Sequence, residues 1–226
     1  MDEAGFRYGA VLIVTLTVLI FSIVAPASNF SRAVGVALVG AMLLIVAVTS
    51  GAPKHTRRVS IFLAVFTLGV STGLVGSGAL TKGAAFTLTG LMTLLALLAL
   101  IAGVFRLMRT RGVTIQAVIG ALSLYLLLAL LFAYAIGAVA EISNEPYFAQ
   151  SNTDTQSQRT YFSVTTVTTT GFGDLTPATK AGRALTVVEE LFGQLYLVTV
   201  VSLLIANVGR GPREGGGPGR GRLVDS

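Results

Sequence analysis

The sequence has no cysteine, no tryptophan, a single histidine, and charged side chains at only 12% of its 226 positions. Without cysteine there are no disulfides, no thiolate metal sites and no cysteine nucleophile. An ordinary soluble domain carries about 25% charged residues, so a soluble globular fold is excluded at the outset. Acids are scarcest in the middle of the chain, with none between Glu3 and Glu141. An intramembrane hydrolase would need serine with histidine, or paired aspartates, at membrane depth. His55 instead falls in a basic connection, and Gly76-Ser77-Gly78, which looks like a nucleophile turn, has no base near it. Enzymatic function is therefore not expected.

What is present is apolar sequence. Hydrophobic residues make up 53% of the chain. They gather in six stretches, about 10–25, 33–49, 59–79, 84–107, 113–140 and 184–208, each long enough to cross a bilayer core of about 30 Å as a helix. The expected fold class is an all-α membrane protein. The formal charge of +6 does not point to nucleic acid, because the basic residues lie in short clusters between apolar stretches rather than on one face. Lys54, Arg57 and Arg58 follow the second stretch, Arg106, Arg109 and Arg111 the fourth, and Arg210, Arg213, Arg220 and Arg222 the sixth. The alternate connections carry only Arg32, Lys82 and an acidic run from Glu141 to Asp154. Positive charge marks the cytoplasmic side, so both termini are expected there.

Ala25-Pro26-Ala27 after the first stretch has the look of a cleavage site, but the leader, with Asp2 and Glu3, lacks the excess of positive charge a secretory signal has. The first stretch therefore reads as a retained helix. Ala33, Ala37 and Ala41, and again Gly69, Gly73 and Ser77, place small residues at every fourth position. That spacing lets helix backbones approach closely, and packing within the subunit is its expected use.

The connection from Glu141 to Ala184 is far longer than the others and must hold structure of its own. Asn144 to Gln158 reads as a solvated outer loop. Tyr161 to Thr169 is a run of aromatic, valine and threonine residues too short to span, and Gly171, Gly173 and Pro177 then break regular structure. A half-membrane helix that returns as extended backbone fits this pattern.

The returning segment reads Thr165-Thr166-Val167-Thr168-Thr169-Thr170-Gly171-Phe172-Gly173-Asp174, then Leu175-Thr176-Pro177. A dehydrated cation needs a ring of oxygens, which backbone carbonyls supply if successive residues all point inward. Gly171 and Gly173 can take positive φ without steric cost. Here the sequence resembles the potassium-channel signature, in which a pore helix ends in a Thr-x-Gly-Tyr/Phe-Gly-Asp filter. The resemblance implies K+ coordination at Thr169, Thr170, Gly171, Phe172 and Gly173, with permeant K+ the only bound species and no other cofactor. Thr170 stands where valine is usual, and its side chain should point away from the ion path. Phe172 replaces the commoner tyrosine and loses a hydroxyl. Asp174 stands at the outer mouth. The acid that often partners it is replaced by Thr165, which leaves Tyr161 as the alternative partner.

In the last stretch, Gly193 matches the place where these channels often have a hinge glycine, with a packing glycine as the other reading. Glu189 and Glu190 lie in an apolar helix, where a charge at mid-depth costs about 2.5–3.5 kcal/mol. Being neighbours they point about 100° apart, so one can brace the pore helix while the other meets a cation. Gln194, Leu197, Val201 and Ile205 follow helical spacing and resemble a cavity-lining stripe, with lipid contact as the competing assignment.

The whole resembles the six-helix, voltage-gated-like channel superfamily. This implies a short N-terminus (1–9), a four-helix membrane domain (10–111), a pore domain (112–209) with a re-entrant pore helix, and a basic tail (210–226) that reads as disordered. It implies a homotetramer, because a carbonyl cage needs four strands. Anionic lipid headgroups are expected partners for Arg210, Arg213, Arg220 and Arg222. A multi-pass protein of a prokaryotic plasma membrane is the expected setting. A nonselective cation channel is the nearest rival, because small filter changes remove ion sites. A secondary transporter should show paired broken helices in two halves, and there is one.

A voltage sensor needs repeated arginines that cross the field, each worth about 2.3 kcal/mol per 100 mV. Arg106 and Arg109 lie at the cytoplasmic end of the fourth stretch, and no acid lies in the first four. We expect conductance that varies little with voltage. Current recordings giving several gating charges per subunit would contradict this.

Overall fold

The computed structural model describes residues 3–49, 61–62, 65, 69, 82–150 and 153–207. Six helices lie among them: α1 (Glu3–Val24), α2 (Asn29–Thr49), α3 (Lys82–Arg111), α4 (Ile115–Ser143), α5 (Gln156–Val167) and α6 (Lys180–Asn207). The third apolar stretch, with Gly73 and Ser77, lies outside the described residues except at isolated positions. So do His55 and the tail carrying Arg210, Arg213, Arg220 and Arg222. Phe30–Thr49, Thr87–Thr110 and Ile115–Ser143 are long and apolar enough to cross a membrane, and Tyr8–Val24 is a shorter apolar helix.

Local chemistry sets the helix ends. Pro26 disfavours helical backbone at Ala25 and closes α1. Ser28 then caps α2, accepting from the Ser31 amide at 3.1 Å. Gly112 ends α3 in left-handed backbone (φ 71), its amide donating to the Met108 carbonyl at 3.0 Å. Thr114 at once caps α4 through the Ala117 amide (3.3 Å). Only Gly112, Val113 and Thr114 separate the two helices, which forces α3 and α4 into an antiparallel pair.

The main core is built from one stripe of each of the first four helices. It holds Tyr8, Val11 and Val18 of α1, Val39, Met42, Leu43 and Val46 of α2, Met92, Ala96, Leu100 and Val104 of α3, and Leu124, Leu127, Leu130 and Tyr134 of α4. The spacing of three and four within each set is the helical period. At Gly120 of α4, an added Cβ would lie 2.6 Å from the Val104 side chain and 3.1 Å from Tyr8, so this glycine admits α1 and α3 to the α4 backbone. Because α4 also packs on α5 and α6, it joins the four-helix core to the segment 144–207. Ser157, near the start of α5, also reaches α1, donating to the Ile23 carbonyl at 2.6 Å.

The segment 144–158 departs from the expected solvated loop. Tyr147 and Phe148 are about 1% exposed and pack edge-on with Phe162 of α5 at centroid distances of 6.1 and 5.2 Å. Phe148 bridges Pro177 across the returning segment, and the Tyr147 amide donates to Asp154 at 2.6 Å. Two aromatic residues amid polar ones supply the apolar area that folds this stretch over α5. Gln156 and Gln158, assigned to the loop and its border, belong to α5, whose start is a capping box between Thr155 and Gln158.

The Tyr147 hydroxyl donates to the Gly182 carbonyl at 2.9 Å, and burial pushes its pKa up to about 12 from 10.0. A raised phenol pKa means the neutral form is favoured when folded, so its contribution is complete below pH 10 and is lost as pH climbs towards 12. Thermal stability in detergent should therefore fall across that alkaline window, and Tyr147→Phe should flatten the fall.

Candidate functional site

The returning segment between α5 and α6 has an unusual backbone rhythm. Thr169, Gly171 and Gly173 take positive φ (58, 48 and 77), while Thr170 and Phe172 between them do not. In an extended strand successive carbonyls point to opposite sides. Alternating handedness turns every second peptide over, so that N–H groups collect on one side and C=O groups on the other. The hydrogen bonds fit this. The amides of Thr170 and Gly171, adjacent in sequence, both donate to the Thr165 carbonyl, at 2.8 and 3.2 Å. No described backbone donor takes the carbonyls of 169–173. Left-handed backbone suits glycine but strains β-branched Thr169, a cost of order 1–3 kcal/mol that the surroundings must hold in place.

Those surroundings are three helices. At the end of α5 the last carbonyls are all taken: Val164 by the Thr168 amide, Thr165 by the Thr170 and Gly171 amides and Thr166 by the Thr169 amide. Val167 is capped by the Tyr125 hydroxyl of α4 at 2.6 Å. On α6, Gly193 lies directly against the same residue. A Cβ there would fall on the Val167 carbonyl oxygen, with the Val167 Cα at 3.0 Å. The glycine thus has a packing reason at this position, and α6 runs through it as one continuous helix.

One turn earlier on α6, Glu189 is fully buried. The Ser163 hydroxyl of α5 shares its proton between the Ala129 carbonyl of α4, at 2.5 Å, and the Glu189 carboxyl. The other carboxyl oxygen has no partner among the described residues. Glu190 is exposed. Of the two acids, then, Glu189 is the one on the pore helix and Glu190 the one turned away.

Of the other sequence candidates, Tyr161 stacks on Phe172 with centroids 6.3 Å apart and planes 5° from parallel, and its hydroxyl meets the exposed Asp174 carboxylate. Thr165 turns back on its own helix, donating to the Phe162 carbonyl at 2.9 Å, and leaves Asp174 alone. Thr170 is tied by its hydroxyl to Thr168 at 2.9 Å. Gln194 is exposed and Leu197 half-buried. The side chains of Val201 and Ile205 lie outside the described residues. Sequence reasoning missed Ser163, Tyr125 and Tyr196. The signal was available, since a lone tyrosine hydroxyl within an apolar span must find an acceptor.

With this geometry in place, the comparisons can be set beside it. Residues 120–209 match the ion-channel family model. The match spans α4 from residue 120, α5, the returning segment and α6, and leaves α1, α2 and all of α3 outside. Over 54 residues the chain is 46% identical to a protein described as "Probable potassium channel protein 2" of Methanocaldococcus jannaschii. That alignment covers 24% of this chain and 16% of the archaeal protein, so the chain spans about a sixth of the relative it matches. No solved structure matches the chain. The apolar helices and the channel segment together mark a membrane protein.

Because the atom that a Cβ at Gly193 would meet is backbone, no side-chain rotation relieves it. Gly193→Ala should cost about 1–3 kcal/mol, the usual range for an overpacked contact. A lowered thermal midpoint of the purified protein checks this.

Proposed function

We propose that the chain is one subunit of a potassium-selective channel, in which four copies surround an axial filter made of residues 169–173. The alternating handedness at Thr169, Gly171 and Gly173 is the observation that carries this reading, because it goes with a file of carbonyls that no described backbone donor takes. Such a file replaces the hydration shell of a dehydrated monovalent cation when four strands face one another. The description of the archaeal relative names the same ion.

In this reading α4 is the outer helix, α5 the pore helix and α6 the inner helix, with the exposed face of Val187, Leu191, Leu195 and Val198 turned to neighbouring subunits and the cavity. Six spans place both termini in the cytoplasm, and the arginines at the cytoplasmic end of α3 act as surface anchors rather than gating charges. Asp174, met by the hydroxyl of Tyr161 whose ring stacks on Phe172, shapes the outer mouth. The setting is a prokaryotic plasma membrane.

Ion flux from liposomes tests the proposal. Purified protein should pass K+ down its gradient far faster than Na+, and Ba2+ should block it. Gly173→Ala, which places a side chain at a left-handed residue, should abolish flux while the protein still assembles. Equal K+ and Na+ fluxes would favour a nonselective cation channel, and absence of flux under every gradient would overturn the reading.

A further inference from the structure

The Val167 carbonyl, two residues before the first filter residue, would have no backbone donor at the end of α5. It is satisfied from α4 by Tyr125. The Tyr125 ring lies against the ring of Tyr196 from α6, with centroids 5.5 Å apart and planes 25° from parallel. Tyr196 in turn donates its hydroxyl to the Ala121 carbonyl of α4 at 2.5 Å. Ala121 and Tyr125 are one turn apart on the same face of α4. Tyr196 is one turn beyond Gly193 on α6, where the inner helix touches Val167 itself.

The two tyrosines therefore form a closed circuit. The inner helix is fixed to α4 at Ala121, its ring sets the ring of Tyr125, and Tyr125 holds the last carbonyl of the pore helix. Sliding α6 by a residue's rise would break the Ala121 bond and unstack the rings. The Tyr125 hydroxyl would then lose its aim at Val167. A carbonyl left without a donor inside a membrane protein is costly, so the end of α5 and the strained Thr169 after it must readjust.

We propose that Tyr125 and Tyr196 are positioning residues that couple the register of the inner helix to the conformation of the filter. Tyr196 acts on the filter without touching it. The proposal rests on the channel reading for what the filter does, but the coupling itself can be measured without conduction.

The experiment is hydrogen–deuterium exchange of the segment spanning Thr168 to Asp174 in the full-length protein, for wild type, Tyr125→Phe, Tyr196→Phe and the double variant. Both single changes keep the ring and remove one hydroxyl. The Thr170 and Gly171 amides, held by Thr165, should exchange about fivefold faster in Tyr125→Phe, the effect expected from loss of one hydrogen bond. Tyr196→Phe should accelerate the same amides although it lies on another helix. The double variant should exchange no faster than Tyr125→Phe alone, since the two hydroxyls act in series. Tyr134→Phe, which alters a different buried hydroxyl of α4 next to Ser22, serves as the control and should leave the filter amides unchanged.

Unchanged filter exchange in Tyr196→Phe would overturn the coupling, even if the thermal midpoint falls, because a purely structural tyrosine lowers stability without reaching the filter. Additive effects in the double variant would also overturn it. Ba2+ block of K+ flux gives the functional counterpart, with sensitivity expected to drop about fivefold in Tyr125→Phe and in the same direction in Tyr196→Phe. If wild type fails to conduct while the exchange pattern holds, the channel reading falls and the coupling stands.

Discussion

Inside a bilayer there is no water to satisfy a stray backbone group, yet this protein carries a run of carbonyls, at residues 169–173, that no described backbone donor takes. Everything around that run answers the constraint. The Thr170 and Gly171 amides are turned back on Thr165 and the Thr169 amide on Thr166, and the remaining carbonyls at the end of α5 are taken by the Thr168 amide or by Tyr125. The polar groups are thus partly sorted, with the first three amides committed to the end of α5 while the carbonyls take no described backbone donor. Irregular backbone at membrane depth is tolerated only where it faces protein or a watery path, and in the proposed channel this segment would have one of each.

That sorting needs support from behind, and α6 provides it along a single face. Glu189, Gly193 and Tyr196 are four and three residues apart, so one stripe of the helix carries all three. They meet Ser163, Val167 and Tyr125 in turn. Ser163 and Val167 are themselves one turn apart on α5. Helices α6 and α5 therefore match in register over this seam, with Glu190 and Gln194 exposed on other faces of α6. A buried carboxyl is expensive in a membrane helix, and its contact with the Ser163 hydroxyl, which is anchored on the Ala129 carbonyl, offsets that cost. Shifting α6 against α5 would separate the acid from its partner and drive a helix backbone into Val167.

How much of this was readable beforehand follows from how local each cause is. Apolar length marked the long described helices, and Gly171 and Gly173 the left-handed backbone, because each depends on residues within a few positions, whereas the stop at Gly112 and the cap at Thr114 came only from the structure. The Thr-rich run and its Asp174 were legible for the same reason. Tyr125 and Val167 are 42 residues apart, and Tyr196 and Ala121 are 75 apart. No spacing rule links such pairs, so they emerge only when α4, α5 and α6 are packed. The segment holding Tyr147 and Phe148 was misread as solvated because its polar neighbours outnumber two aromatic residues. Those two have a partner in Phe162 that the sequence places well beyond the loop. Left-handed Thr169 was also unforeseen, since its side chain disfavours that backbone and only the hydrogen bonds around it hold it there.

The sorted carbonyls also bear on assembly. In a single subunit the filter segment is exposed, and so are Val187, Leu191, Leu195 and Val198 along one side of α6. Lipid satisfies the apolar side chains but cannot satisfy the carbonyls beside them. In the proposed channel, copies of this surface close around the acceptors and a cation replaces the missing donors. One strand offers too few oxygens to compete with a hydration shell, whereas a symmetric ring offers a full cage at each level. The proposed fourfold assembly is in this sense the completion of the subunit's hydrogen bonding, with the ion standing where a donor would otherwise be required.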